Sequence, residues 1–169
     1  MVMTGSKMSI SQIMEKMIAY SNGNLRDITH FTCVWNYARM IGELEKLDPA
    51  TQFILEVGAI THDIACPLCR LKYGHADFKC QETEGTVLAE EFLEDTGMSR
   101  DQIERVKYLV GHHHTLTGID GADLQILIEA DYIVNAAEKG YSKQSIENFI
   151  QKIFRTEPGK RIAASVFLL

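Results

Sequence analysis

Apolar residues in this chain recur at intervals of three and four, and almost never at two. Ile10, Ile13, Met14, Met17 and Ile18 fall on one stripe, ended by "SNGN". Val34, Tyr37, Ala38, Ile41 and Leu44 form a second stripe within about Arg26 to Leu47, and "DPAT" then offers Asp48 as cap and Pro49 as first helical residue. Such spacing puts apolar side chains on one face of an α-helix, whereas strands need alternation. Alternating Val/Ile/Thr runs are missing, which leaves an all-α fold.

A third helix carries Phe53, Ile54, Val57 and Ile60. Residues 66–80 read as irregular, with three cysteines, Pro67 and Gly74. A helix over about 81–95 is expected to turn Val87, Leu88 and Phe92 inward. Another starts at Ser99 and carries Ile103, Val106 and Val110 into a histidine run. Two more cover about Leu124–Glu138 and Ser142–Phe154, and a short apolar tail, "RIAASVFLL", follows Pro158. No repeat or linker interrupts this order, so residues 1–169 are expected to form a single domain of about six to eight helices. The tail could pack on its own core or on a second copy, so a homodimer is one expected arrangement.

A formal charge of -6 disfavours a nucleic-acid polymer as partner, since phosphate backbones require clustered cations. No apolar run reaches the roughly 18 residues of a membrane span, and "MVMTGSKMSISQ" lacks a leader's apolar stretch. A cytoplasmic protein without a membrane partner is expected. Cys33, Cys66, Cys69 and Cys80 accordingly read as reduced thiols, although "CPLC" also has redox or zinc-site spacing.

Four polar residues interrupt the apolar stripes. His30 begins the stripe of the second helix, and alone it reads as a core histidine. His62 and Asp63 sit together after "VGAIT", at a helix end where neighbouring side chains can converge. Asp131 lies on or beside the stripe of Leu124, Leu127, Ile128 and Val134. A buried carboxylate is costly unless paired, and an ion pair at a helix crossing would explain this one. Together the four offer two nitrogens and two oxygens, a donor set for a divalent transition metal such as Mn, Fe, Co, Ni or Zn. Such a set leaves positions for water and substrate. In "VGHHH", His113 continues the stripe of Val106 and Val110, His114 flanks it, and His112 points away.

The order His30, His62-Asp63, Asp131 on successive helices resembles the HD-domain superfamily of metal-dependent phosphohydrolases. "ITHFTCVWNYA", "THDIA", "VKYLVGHHH" and "ILIEADYIVN" carry the resemblance, which is strongest over residues 26–138. It implies an HD-type helical domain and an enzyme hydrolysing a nucleotide or another small phosphorylated metabolite. His30, His62, Asp63 and Asp131 would hold the metal. Asp63, His113 and His114 would be catalytic, the histidines stabilising the phosphate or protonating the leaving oxygen. Arg26, Lys72 and Gln81 fall on the substrate side. Members with two metals often carry histidine where this chain has Gln81, four residues before Gly85. Glu82 or Glu84 could supply an oxygen instead, but one firmly bound metal is expected. A metal- and nucleotide-binding sensor without turnover is the alternative. In metal-free protein, removing Asp131 is expected to be stabilising, as the loss of an unpartnered charge.

Overall fold

The structure, a computed structural model, describes residues 6–169. The N-terminal stretch read for a leader includes residues 1–5, which lie outside the described residues. Nine α-helices make up the described residues: α1 Ile10–Tyr20, α2 Leu25–Leu44, α3 Pro49–Thr61, α4 Cys66–Tyr73, α5 Phe78–Leu93, α6 Arg100–His112, α7 Gly121–Lys139, α8 Lys143–Ile153 and α9 Glu157–Phe167. None is long and apolar enough to cross a membrane.

The helix starts follow from local chemistry. Ser9 and Ser99 form capping boxes with Gln12 and Gln102, satisfying donors that the first turn would leave unpaired. Asp48 accepts from the amides of Ala50 and Thr51, with Pro49 where no donor is needed.

Helix α2 packs against α3 and α7, α3 also against α6, and α5 against α6. One apolar core lies among Val34, Ala38, Ile41, Leu55, Leu127 and Phe154. The other lies among Ile13, Phe31, Ile60, Phe92 and Val106.

The structure departs from several of these expectations. The 66–80 stretch contains α4, because Pro67 suits a first turn and Gly74 stops the helix in left-handed conformation, φ 76°. Val87 faces solvent, 55% exposed. Helix α5 instead buries Gln81, Gly85, Ala89, Phe92 and Leu93. Gly85 sets that face, since a Cβ there would come within 2.8 Å of Val110 Cγ1. Leu44 and Ile18 are likewise exposed at the edges of their stripes. Cys69 and Cys80 are joined in a disulfide tying α4 to α5, which corrects the reading of four reduced thiols, while Cys33 and Cys66 are free.

The apolar tail belongs to α9, whose start is held from beneath by α7. Glu129, fully buried, accepts from the amides of Arg155 and Thr156 at 2.7 and 3.1 Å, and from the Thr156 hydroxyl. Those donors compensate the cost of burying a carboxylate.

Candidate metal centre

Three helices deliver His30, His62, Asp63 and Asp131 to one point. His30 comes from α2 and Asp131 from α7, the partner packed against it. His62 caps the end of α3, and Asp63 follows in the turn beyond it. Adjacent residues inside a helix diverge by about 100°, so ending α3 at Thr61 is what lets both turn to the same place.

His30 Nε2 lies 3.3 Å from His62 Nε2, 3.2 Å from Asp131 Oδ1 and 3.5 Å from Asp63 Oδ2. His62 Nε2 lies 3.4 Å from Asp131 Oδ1 and 3.7 Å from Asp63 Oδ2. Ligands about 2.1 Å from a shared ion stand about 3.0–3.4 Å apart in octahedral or tetrahedral arrangements. The observed spacings therefore suit a divalent cation with only slight contraction. Asn135, one turn after Asp131, donates to its Oδ1 at 2.7 Å.

A second group lies alongside. Ligand atoms of Asp63, His113 and His114 come within 4.8 Å of one another. His113 Nε2 is 3.6 Å from Asp63 Oδ1, and is buried without a hydrogen-bond partner among the described residues. An orphaned buried nitrogen beside a carboxylate cluster fits a position that a bound ligand could satisfy. His113 Nδ1 donates to Val110 O and His62 Nδ1 to Ala59 O, both at 2.8 Å, so each ring turns its Nε2 inward.

Charge is finely balanced here. Burial disfavours the charged form of His62, but Asp63 and Asp131 outweigh it and raise its pKa to about 9. Burial likewise opposes charging His30, and the Asp131 hydrogen bond overcomes it, so its pKa is raised. Burial would raise Asp63 and Asp131, yet the imidazoles hold both below the usual carboxylate range. His114 goes the other way: burial and neighbouring His113 lower it to about 3. It is therefore a neutral ring near pH 7. Its Nε2 donates to Gln81 Oε1 at 2.9 Å, and Phe78 stacks on it.

The cluster forms the floor of a cavity of about 660 Å³. Arg26 lines it, and so do His113, His114 and Gln81. Gln81 also donates to Ala76 O at 2.6 Å, so both ends of its amide are engaged. Lys72 does not line the cavity: it pairs with Glu84 at 3.0 Å on the outer side of α4 and α5, which corrects its substrate-side placement. Glu84 is thereby engaged too, and Glu82 accepts from Thr115, so neither supplies the oxygen that replaces a histidine at Gln81. His112 stacks on Tyr108, away from the cavity.

The sequence reading missed Asn135, Glu138 and Lys139, which reach the cavity from α7, and Arg70, which lines it while paired with Asp27. The first three stand four, seven and eight residues after Asp131, the spacing of one helical face. That signal was present in "DYIVNAAEK".

The solved structure of a predicted HD superfamily hydrolase from an uncultured Thermotogales bacterium shares this architecture. The TM-score is 0.67 at 21% identity, over 94% of this chain and 84% of that one. The chain has the HD-type helical fold. No family model and no curated protein matches the sequence. Of the residues in the motifs that carry the sequence resemblance, His30, Asp63, His113, His114 and Asp131 line the cavity.

Proposed function

We propose that this HD-fold chain is a metal-dependent phosphohydrolase acting on a nucleotide or another small phosphorylated metabolite. The observation that carries the proposal is the convergence of two imidazole nitrogens and two carboxylates at ion-ligand spacing on the floor of an open cavity. One divalent transition metal (Mn, Fe, Co, Ni or Zn) would be held by His30, His62, Asp63 and Asp131. When bound it supplies Lewis-acid polarisation of a phosphoryl oxygen and acidifies water.

The chain's own groups would do the rest. Asp63 has one oxygen toward the metal ligands and the other toward His113, so it can orient an attacking water between them. His113 Nε2 faces that space and can take up or deliver a proton. His114 is committed to Gln81 and neutral, so it serves as a wall and hydrogen-bonding neighbour rather than as a strong acid. Arg26 and Lys139 reach the cavity without an ion-pair partner among the described residues, and can take phosphate oxygens.

The test is phosphate release by protein loaded separately with Mn, Fe, Co and Ni, against nucleoside mono-, di- and triphosphates, cyclic nucleotides and sugar phosphates. Elemental analysis of the sample should give about one transition-metal ion per chain. Turnover of at least one compound supports the reading. A sensor module is favoured by one feature, the Gln81 amide where two-metal relatives carry histidine. Silence across the panel, with binding of one member retained, replaces the enzyme with that sensor.

A further inference from the structure

Three imidazoles turn Nε2 toward the centre, and in each the other nitrogen is tied down. His62 and His113 use the main chain, donating to carbonyls three residues back. Both stand at helix ends, where the last carbonyls lack an amide partner. His30 cannot use that device. It sits within the second turn of a twenty-residue helix, where the carbonyls one turn back already serve the helix.

Its Nδ1 lies 3.1 Å from Glu138 Oε2 instead. Glu138 follows Asp131 by seven residues, two turns along α7. One face of one helix therefore sets a carboxylate against each nitrogen of the same ring: Asp131 Oδ1 at 3.2 Å from Nε2, and Glu138 at Nδ1. Asn135, between them, fixes Asp131. The Glu138 side chain is 36% exposed at the cavity edge, so its removal opens no core space.

We infer that Glu138 is a positioning residue for the metal centre, acting through His30. By accepting the Nδ1 proton it fixes the tautomer whose Nε2 lone pair faces the metal ligands, and its charge makes that nitrogen a stronger donor. It has no need to touch substrate or the reacting atoms. The inference rests on the metal-dependent reading above.

Co(II) titration of metal-stripped protein tests it, with wild type, Glu138→Ala, Glu138→Gln and Glu157→Gln compared. Glu157 is exposed, pairs with Lys160 and lies outside the cavity. Glu138→Ala should weaken Co(II) binding roughly 10–100-fold, the usual effect of losing such a partner, and shift the visible spectrum of bound Co(II). Glu138→Gln keeps an oxygen for the Nδ1 proton without the charge, so its loss should be intermediate. Glu157→Gln should match wild type. Thermal melts in chelator check that the variants fold, and if Glu138→Ala does not, Glu138→Gln decides. Affinities within twofold of wild type and an unchanged spectrum in the folded Glu138 variants overturn the inference while leaving the metal reading intact. A wild type that binds no Co(II) overturns both.

Discussion

Asp131→Ala in metal-free protein is the sharpest test of how the centre is held together. Read from the sequence as a metal ligand, Asp131 becomes in metal-free protein a buried charge without a partner, whose removal should stabilise. The structure reverses that sign. Asp131 Oδ1 stands 3.2 Å from His30 Nε2, 3.4 Å from His62 Nε2 and 2.7 Å from Asn135 Nδ2. At pH 7 it is a counter-charge for His62, whose pKa is raised to about 9, and it also lies against His30, whose pKa is raised. Removing one partner of a buried charge pair costs about 3–5 kcal/mol. Asp63 remains as a second counter-charge, so the lower end, about 3 kcal/mol, is expected. For a chain of this size that lowers Tm by about 6–12 °C. Denaturant unfolding in excess chelator at pH 7 measures it, the midpoint falling at constant slope. Asp131→Asn keeps an oxygen acceptor and should lose about half as much. The gap to wild type should narrow above pH 9, where His62 is neutral in both. A metal-free Asp131→Ala protein as stable as wild type, or more stable, would refute the pairing argument.

Metal-free wild type should itself lose stability between pH 6.5 and about 9.5. His62 titrates near 9 when folded against about 6.5 unfolded, so its contribution is full below 6.5 and vanishes as pH rises through 9. A flat Tm across that window contradicts the raised pKa; the lowered His114 does not enter, because it acts only below 6.5. The histidine run should separate by position. His113→Ala is expected to abolish phosphate release with metal retained, His114→Ala to weaken it, and His112→Ala to leave it within a few-fold; equal losses at all three would refute the assignment. Reducing Cys69–Cys80, which closes a loop with a sequence separation of 11, should cost about 3 kcal/mol. Metal content should be unaffected, since His30, His62 and Asp131 lie outside that loop, and an unchanged Tm in reductant would show that the bond contributes nothing.

The helices and the grouping of His30, His62, Asp63 and Asp131 were legible because each rests on local spacing. Periodicity placed α1–α3 and α6–α8, and polar residues on apolar stripes marked His30, His62, Asp63 and Asp131. The misses came from long-range geometry. Val87 looked inward until Gly85 fixed how closely α5 approaches Val110. Lys72 follows the HD pair in sequence, but α4 turns it outward to Glu84. The partner of Cys69 lies 11 residues on, in the next helix, where no local spacing announces it. Glu138 and Lys139 were readable by spacing from Asp131, yet nothing local distinguishes them from a solvated helix end.

Helix α7 carries Asp131 toward the cavity while its buried Glu129 holds the start of α9. The last stretch of the chain is thereby wired to the same beam that carries Asp131. Trimming back to the end of α8 would take away the Arg155 and Thr156 donors and leave the buried Glu129 carboxylate, two residues from Asp131, with Gln125 as its remaining donor. Shortened versions of this protein should then be less stable around Asp131 although no residue of the cluster has been touched.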